Sequence, residues 1–285
     1  MPASKAIASK HSLFALLLLT TMLTASAQTK WKLVWQDEFE QEGLPNPGNW
    51  DYEHGFVRNN ELQWYQARNA FCREGKLIIE AREEHRPNPN YRPESQDWTT
   101  NREWIDYTSA CLITRGKREF TYGKFEMRAR LDTRLGSWPA FWTLGINERR
   151  VGWPACGEID IMEFYKGDVL ANVVHGLNGK EHWASERQLL PGFGGEKWSQ
   201  EFHIWTMEWD AHRIDLFLDG KLMNHFDVAD ADEPGGENPF RKPHYLLLNQ
   251  AIGGQNGGDP ANTKFPVRLE VDWVRVYQAD NGKQR

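Results

Sequence analysis

Short runs of alternating apolar and polar residues recur along most of this 285-residue chain. Successive side chains of a β-strand point to opposite faces, so this alternation is typical of strands that bury one face. No comparable run shows the period of an amphipathic helix, and the pattern therefore predicts an all-β fold. The clearest predicted strands are Lys76–Ala81, Cys111–Thr114, Phe125–Leu131, His203–Trp209, Arg213–Leu218, His244–Asn249 and Val267–Tyr277.

Turn signals separate these predicted strands. Asp219-Gly220 stands between two apolar runs and is a strong signal for a two-residue hairpin turn. Many short strands joined in this way indicate a β-sandwich or jelly roll. Segments 86–97, rich in proline and asparagine, and 253–260, rich in glycine, are predicted to be loops. The second lacks the Lys-Ser/Thr ending of a phosphate-binding loop and a following helix, which argues against nucleotide binding.

Three carboxylates fall within six residues of one predicted strand, from Glu158 to Glu163. Glu158 and Asp160 share one face of that strand, but strict alternation would turn Glu163 towards the core. Burying an unpaired carboxylate is costly. A β-bulge, with one extra residue at Ile161-Met162, would bring Glu163 onto the face of the other two acids. We therefore predict a bulged strand with all three acids on one face.

The predicted bulge also sets the distance between Glu158 and Glu163. Four pleated steps separate their Cα atoms by roughly 13 Å. Side chains leaning together would narrow the gap to about 5 Å between carboxyl groups, the separation found in retaining glycosidases. A plain solvated sheet face, with acids outward and isoleucines inward, would give the same hexapeptide. The acids alone therefore leave catalysis and an ordinary surface both open.

Tryptophan is frequent, with 14 residues, and several lie near the acidic strand. Trp138 and Trp142 are spaced to share one face of a strand, and Trp153 shortly precedes Glu158. Indole rings offer flat apolar surfaces for the C–H faces of sugars, while polar side chains such as Asn60 suit the hydroxyl groups. A core position explains any single tryptophan, but Trp138 and Trp142 together beside the acids favour a sugar-binding cleft.

The first residues have the pattern of a secretory signal peptide. Two lysines precede the apolar run Leu13–Leu19, and Ala25–Ala27 matches a cleavage site. The apolar run is too short to span a bilayer. We therefore expect residues 1–27 to be removed and residues 28–285 to form one exported domain, periplasmic or extracellular, without membrane insertion.

The net charge and the histidine and cysteine content limit which ligands and disulfide bonds are expected. The net charge of −6 argues against nucleic acid as a partner, and the nine histidines form no zinc-binding spacing. Cys72 and Cys111 fall in predicted strands, and an exported protein can form disulfides, but the sequence leaves their pairing open. Cys156 is better explained as a small buried thiol than as a nucleophile. We expect a monomer that requires no cofactor.

Taken together, these residues resemble family 16 of the glycoside hydrolases, and within it the bacterial laminarinase-like endo-β-1,3(4)-glucanases. The family pattern E-x-D-x-x-E stands here as Glu158–Glu163, after a Trp-Pro lead-in at Trp153–Gly157. Segments Asn59–Gln63, Gly136–Trp142 and Val271–Tyr277 also look like family segments. The resemblance covers nearly the whole chain after the signal peptide, so residues 28–285 would be the catalytic domain.

The resemblance implies a jelly roll of two antiparallel sheets with a concave cleft that binds a polysaccharide. It implies hydrolysis with retention of configuration. Glu158 would be the nucleophile and Glu163 the general acid and base. Asp160 would lie between them and form a hydrogen bond with the nucleophile.

Further roles follow only from the resemblance. His175 would lie near the leaving group. A structural calcium ion on the convex face occurs in many members, and Asp272 is its candidate ligand here. Gln250 stands where a typical laminarinase has an aliphatic residue. The residues expected to line the sugar subsites are Asn60, Trp138, Trp142 and Trp153.

The substrate stays open at this point because agarases and carrageenases share the bulged motif. The leading hypothesis is an exported endo-glycosidase that hydrolyses β-1,3 or mixed-linkage β-1,3-1,4-glucan by double displacement. One alternative is a hydrolase of the same fold that acts on a galactan, agar-type or β-1,3-linked, and Arg149 and Arg150 would suit a sulfated polymer. Another is a non-catalytic sugar-binding sandwich, which would have no need of all three acids.

Overall fold

A computed structural model describes residues 29–233 and 236–280; the predicted signal peptide lies outside these residues. The described residues form seventeen strands and several short helices. The strands are β1 (Trp31–Asp37), β2 (Asp51–Tyr52), β3 (Gln63–Tyr65), β4 (Ala70–Arg73), β5 (Lys76–Pro87), β6 (Trp104–Ser109), β7 (Cys111–Ile113), β8 (Gly123–Leu131), β9 (Ser137–Gly145), β10 (Glu158–Tyr165), β11 (Asp168–Leu177), β12 (Lys180–Leu189), β13 (His203–Trp209), β14 (Arg213–Leu218), β15 (Lys221–Asp227), β16 (His244–Ile252) and β17 (Val267–Ala279).

Helices are few and short. The α-helices are α1 (Glu148–Val151) and α2 (Gly254–Gly257), and the 3-10 helices are Ala67–Asn69, Leu190–Phe193, Gly195–Gln200, Val228–Ala231 and Pro239–Arg241. Within the two described ranges, no helix has the length and apolar content needed to cross a membrane. The single turn of α2 inside the glycine-rich loop was not predicted.

The predicted strands are all present, as β5, β7, β8, β13, β14, β16 and β17. The alternation of apolar and polar residues predicted these strands because each strand buries one face. In β8, for example, buried and partly exposed residues alternate along the whole strand. The predicted hairpin turn joins β14 to β15. Asp219 has a φ of +48° and Gly220 a φ of +76°, the left-handed pair that a two-residue hairpin turn requires.

Two sheets pack face to face. The larger has ten strands in the order β15-β14-β13-β8-β17-β5-β6-β3, with β1 also paired to β17 and β4 to β5. The smaller has seven strands in the order β12-β11-β10-β9-β16-β7-β2. Neighbours run antiparallel, apart from the parallel pair β3 and β6. This arrangement confirms the predicted sandwich.

The main apolar core lies between the sheets, where Phe125 and Met127 of β8 meet Phe141 and Ile159 of the smaller sheet. Burying each such side chain contributes about 1.5–3 kcal/mol. A separate apolar cluster, which includes Trp142, covers the other face of the smaller sheet. We call this second face the cleft face.

All three cysteines lie in the described part of the chain, and all three are free buried thiols. Cys72 packs in the core between the sheets. Cys111 and Cys156 instead belong to the cluster on the cleft face. A Cys72–Cys111 disulfide, which the sequence left open, is therefore not formed, because their strands β4 and β7 belong to different sheets.

Candidate active site

The bulge in β10 lies where the sequence predicted it. The register of β10 shifts between Asp160 and Glu163 against β11 and between Asp160 and Met162 against β9. Ile161 and Met162 are both buried in the core. Two consecutive inward residues return Glu163 to the face of Asp160, so the predicted three-acid face is confirmed.

Each of the two outer carboxylates accepts a hydrogen bond from a tryptophan. Trp153 Nε1 lies 3.0 Å from Glu158 Oε2, and Trp138 Nε1 lies 2.8 Å from Glu163 Oε1. An indole N–H can only donate, so both bonds favour the ionised form of the carboxylate. The two ends of the acidic strand thus have separate donors.

Asn172 of β11 connects the middle and last acids. Its Nδ2 donates to Asp160 Oδ2 at 3.1 Å and to Glu163 Oε2 at 2.9 Å. Sequence reasoning missed this residue, although a lone amide inside the apolar run 169–174 is a signal that could have identified it. Asn172 therefore holds two of the three carboxyl groups in fixed positions.

Burial raises the pKa of all three carboxyl groups, since desolvation disfavours the charged form. It raises the pKa of Glu158 to about 7, with help from the negative charge of Glu163. The pKa of Asp160 lies well above its ordinary value through desolvation and the charge of Glu158. The pKa of Glu163 is likewise far above its ordinary value, through desolvation and the charge of Asp160. The site therefore retains a proton near neutral pH, which general acid catalysis requires.

A tight loop before β10 brings Trp153 to Glu158. The N–H of Gly157 donates to the carbonyl of Pro154 at 3.0 Å. Gly157 has a φ of +76°, and a Cβ there would lie 2.8 Å from Pro239 Cβ. Only glycine combines this backbone conformation with such a close approach, which explains why the Trp-Pro lead-in ends in glycine.

Trp138 and Trp142 share the cleft face as predicted, but they are only 5% and 6% exposed. Trp138 stands edge-on to Tyr165, with ring centroids 5.5 Å apart. Trp142 donates to Asn249 Oδ1 at 2.7 Å, and the Arg58 guanidinium lies 5.0 Å from its ring centroid. These two indoles are therefore fixed parts of the cleft floor with little open surface.

Arg58 is a second residue that sequence reasoning missed. Its guanidinium pairs with Glu53, and its positive charge acts to lower the pKa of Glu158 against the effect of desolvation. It thereby favours the ionised form of Glu158, one of the two outer acids of the site.

Asn60 lies on a turn near the Trp138 end of the acidic strand. The N–H of Leu62 donates to the carbonyl of Ile252 at 2.8 Å, and the preceding residue, Ala251, pairs with Trp138. Asn60 and Leu62 line a hollow together with residues of the glycine-rich loop. The structure therefore places Asn60 at a hollow beside the glycine-rich loop, and its contact with sugar stays a prediction.

His175 is not brought to the cleft, contrary to the expectation. Its ring contacts the core residues Phe226 and Phe240, at centroid distances of 5.7 and 6.1 Å, and burial lowers its pKa. Asn172 and His175 are an odd number of residues apart on β11, so strand alternation puts them on opposite faces. The sequence motif did not reveal which face each residue takes.

The carboxylate of Asp272 pairs with a positively charged side chain of the protein. Its carboxylate accepts a hydrogen bond from the guanidinium of Arg128 on the neighbouring strand β8. Across residues 29–233 and 236–280, no group of three or more His, Cys, Asp or Glu side chains could hold a metal ion. Asp272 is thus paired with Arg128 in this structure, and the calcium ion implied by the family resemblance stays a prediction.

Gln250 and Arg150, which the sequence analysis also singled out, both have polar partners within the protein. Gln250 is fully buried, and its Nε2 donates to Ser137 Oγ at 3.0 Å; its neighbour Asn249 bonds the cleft-face residue Trp142, so alternation turns Gln250 to the core. Arg150 lies 3.3 Å from Glu237 Oε2, which offsets its charge.

A pair of exposed indoles stands at the Glu158 end of the site. Trp153 is 47% exposed and Trp183 of β12 is 48% exposed. Their ring centroids lie 6.2 Å apart, with an angle of 56° between the planes. Trp153 was predicted to line a sugar subsite, whereas Trp183 was not predicted.

Known proteins resemble this chain over most of its length. Residues 59–275 match the family model of Glycosyl hydrolases family 16. A beta-glucanase from Rhodothermus marinus is 39% identical over 270 residues, which are 87% of this chain and 85% of that protein. The similarity therefore includes all of the acidic strand and the segments around it.

Solved structures share the fold. The laminarinase catalytic domain from Thermotoga maritima MSB8 matches with a TM-score of 0.74 and 37% identity, over 87% of this chain and 98% of that one. A structure from work on endo-acting O-glycanases, which prominent members of the human gut microbiota express to initiate mucin breakdown, matches with a TM-score of 0.80 and 34% identity. It covers 87% of this chain and 91% of that one.

Proposed function

The chain belongs to family 16 of the glycosyl hydrolases, and on that premise we propose that it hydrolyses β-1,3 or mixed-linkage β-1,3-1,4-glucan internally, with retention of configuration. The observation that carries this proposal is the bulged strand that holds Glu158, Asp160 and Glu163 on one face. The beta-glucanase and laminarinase relatives support β-glucan as the substrate.

In the first step, Glu158 acts as a carboxylate and attacks the anomeric carbon of the bound sugar. The bond from that carbon to the bridging oxygen breaks, and Glu163 transfers its proton to the leaving oxygen. The raised pKa of Glu163 supports this role, because the group must be protonated before the step. The product is a sugar ester of Glu158.

In the second step, the carboxylate of Glu163 accepts a proton from a water molecule. The water oxygen forms a bond to the anomeric carbon, and the ester bond to Glu158 breaks. Two inversions at one carbon give net retention. Asp160 stands between the two glutamates in the chain, and the protonated carboxyl that its raised pKa favours can donate to Glu158 when that group is ionised.

A second candidate function is hydrolysis of a galactan, agar-type or β-1,3-linked, or of a mucin glycan, and the match to the structure from work on O-glycanases supports the mucin substrate. Both glucose and galactose present C–H surfaces to indole rings, so the tryptophans near the acids suit either sugar. The non-catalytic alternative finds less support, because three desolvated carboxyl groups on one face cost stability without improving sugar binding.

A polysaccharide panel tests the proposal. Purified protein is incubated with laminarin, barley β-glucan, agarose and mucin, and the products are sized by chromatography. We expect oligosaccharides of several lengths from laminarin or β-glucan, and proton NMR of the first products should show the β-anomer. Cleavage of mucin or agarose alone would favour the second candidate function, and binding without any cleavage would favour the non-catalytic module.

Export and oligomeric state are parts of the same proposal. The predicted signal peptide supports export, and a polymeric substrate is best reached outside the cytoplasm. We propose that the mature protein acts as a monomer. Mass spectrometry of the exported protein, with an N-terminus at residue 28, and light scattering would check both points.

A further inference from the structure

Trp183 lies on the same face of the smaller sheet as Glu158. Val174 of β11 pairs with Glu158 on one side and with Trp183 on the other. Residues directly opposite one another on neighbouring strands share a face. Two strand spacings separate the backbones of Glu158 and Trp183 by about 10 Å, so Trp183 stands close to the predicted nucleophile.

The neighbouring residue on β12 confirms this orientation. His182 stacks on His175, with ring centroids 5.5 Å apart and an angle of 20° between the planes. His175 faces the core, so His182 takes that side of the strand. Consecutive residues of a strand point to opposite faces, which leaves Trp183 on the cleft face.

Folding does not account for the position of Trp183. A core tryptophan is nearly covered, as Trp205 is in this protein, whereas about half of Trp183 remains accessible. Its ring contact is Trp153, which is equally exposed. Two adjacent half-exposed indoles form an uncommon apolar surface, and this one is joined to the acidic strand by the bond from Trp153 Nε1 to Glu158.

We propose that Trp183 and Trp153 together form a stacking subsite for one pyranose unit of the polysaccharide, on the β12 side of Glu158. The inference rests on the proposed function as a polysaccharide hydrolase, and it adds Trp183 as a specificity-determining residue. The occupant is a sugar of the polysaccharide being cleaved, because Trp153 of the indole pair forms a hydrogen bond with the nucleophile Glu158. The tilt of 56° between the rings lets one ring contact the sugar face and the other its edge.

Kinetics of matched tryptophan variants test this subsite. Trp183→Ala should raise KM for the cleaved polysaccharide by about tenfold, the effect of losing one stacking contact. Its kcat should stay within about twofold of wild type, because uniform binding affects KM alone. Trp183→Phe keeps an aromatic ring and should recover most of the loss.

Trp104 of β6 is the matched control. It is 40% exposed and stacks on His85, so Trp104→Ala removes an indole of similar exposure that has no bond to the acids. We expect its KM to equal that of wild type. An unchanged KM in Trp183→Ala, or an equal rise in Trp104→Ala, would overturn the subsite. So would a joint fall of kcat and melting temperature in Trp183→Ala.

The design separates this inference from the proposed function. The proposed function is tested by whether the wild-type protein cleaves any polymer of the panel. The subsite is tested by the ratio of the KM values of variant and wild type on the polymer that is cleaved. If wild type cleaves no polymer, affinity gels that contain each polymer provide the second test. Retardation of wild type and Trp104→Ala, but not of Trp183→Ala, would support the subsite, and equal migration of all three would overturn it.

Discussion

The side-chain nitrogen of Asn172 lies 2.9 Å from a carboxylate oxygen of Glu163. The same nitrogen reaches Asp160 at 3.1 Å. An amide carries no net charge, so it orients both carboxyl groups without acting as a counterion. A lysine or arginine in this place would hold Glu163 ionised and prevent it from carrying a proton to the leaving oxygen.

Replacement of Asn172 should therefore change both rate and pH dependence. Asn172→Ala removes a donor to the ionised form of Glu163, so the pKa of Glu163 should rise and the alkaline limb of kcat/KM should move to higher pH. Loss of one bond to a charged group should lower kcat by about tenfold or more. Ser185→Ala, directly opposite Asn172 on β12, is the control and should leave the profile unchanged.

The two tryptophan donors should control opposite limbs of the pH profile. Trp153→Phe removes the donor to Glu158, so the pKa of Glu158 should rise above its value of about 7 and the acid limb should move to higher pH. Trp138→Phe removes the donor to Glu163 and should shift the alkaline limb instead. Profiles of kcat/KM measured from pH 4 to 10 decide this. Movement of the same limb in both variants would contradict the separate pairing.

Alternation predicted the acidic face because it is a local property of the chain. Strict alternation would put Asp160 and Glu163 on opposite faces and bury the Glu163 carboxylate. A bulge avoids this at a low cost in free energy, and the structure contains it. The hairpin at Asp219-Gly220 is equally local, since two left-handed residues fix the turn. Features of this kind need no knowledge of which strands become neighbours.

Features that depend on strand pairing were not predictable in the same way. The contact of Asn172 with the acids requires that β11 pairs with β10 in one particular register. Cys72 and Cys111 lie in strands of similar pattern, yet those strands enter different sheets. The orientation of His175 likewise follows from the register of β11, which a single sequence does not reveal.

Asp160 should reduce stability as the pH rises. Its pKa in the folded protein lies well above its ordinary value, so the folded state binds this proton more tightly than the unfolded chain. The contribution of this proton to the free energy of unfolding is fully present below the ordinary pKa of about 3.9, and it is lost as the pH rises through the raised pKa. Asp160→Asn removes this loss.

Calorimetry from pH 4 to pH 8 tests that prediction. We expect the melting temperature of Asp160→Asn to exceed that of wild type by a few degrees, roughly 2–4 °C, at pH 8 and by less at pH 4. Activity should fall in the same variant, since the carboxyl proton that Asp160 donates to the ionised Glu158 is lost. A constant difference between the two proteins across this range would show that Asp160 does not carry the pH dependence.

The three thiols predict that stability is independent of reductant. A disulfide typically contributes about 2–4 kcal/mol, so its reduction would lower the melting temperature. Because Cys72, Cys111 and Cys156 are all free, thermal unfolding with and without a reductant should coincide. Alkylation of the unfolded protein without prior reduction should modify all three residues, and modification of one cysteine alone would indicate a disulfide.

Azide should distinguish the roles of Glu158 and Glu163 by the anomer it yields. Glu163→Ala loses general acid catalysis, worth about 10²–10⁴-fold, but an activated β-glycoside needs little protonation and still forms the ester with Glu158. Azide then attacks that ester and gives a β-glycosyl azide. In Glu158→Ala, azide takes the place of the missing nucleophile and attacks the β-glycoside directly, which gives the α-anomer. Proton NMR of the products reads the anomer, and the same anomer from both variants would show that the two roles are assigned incorrectly.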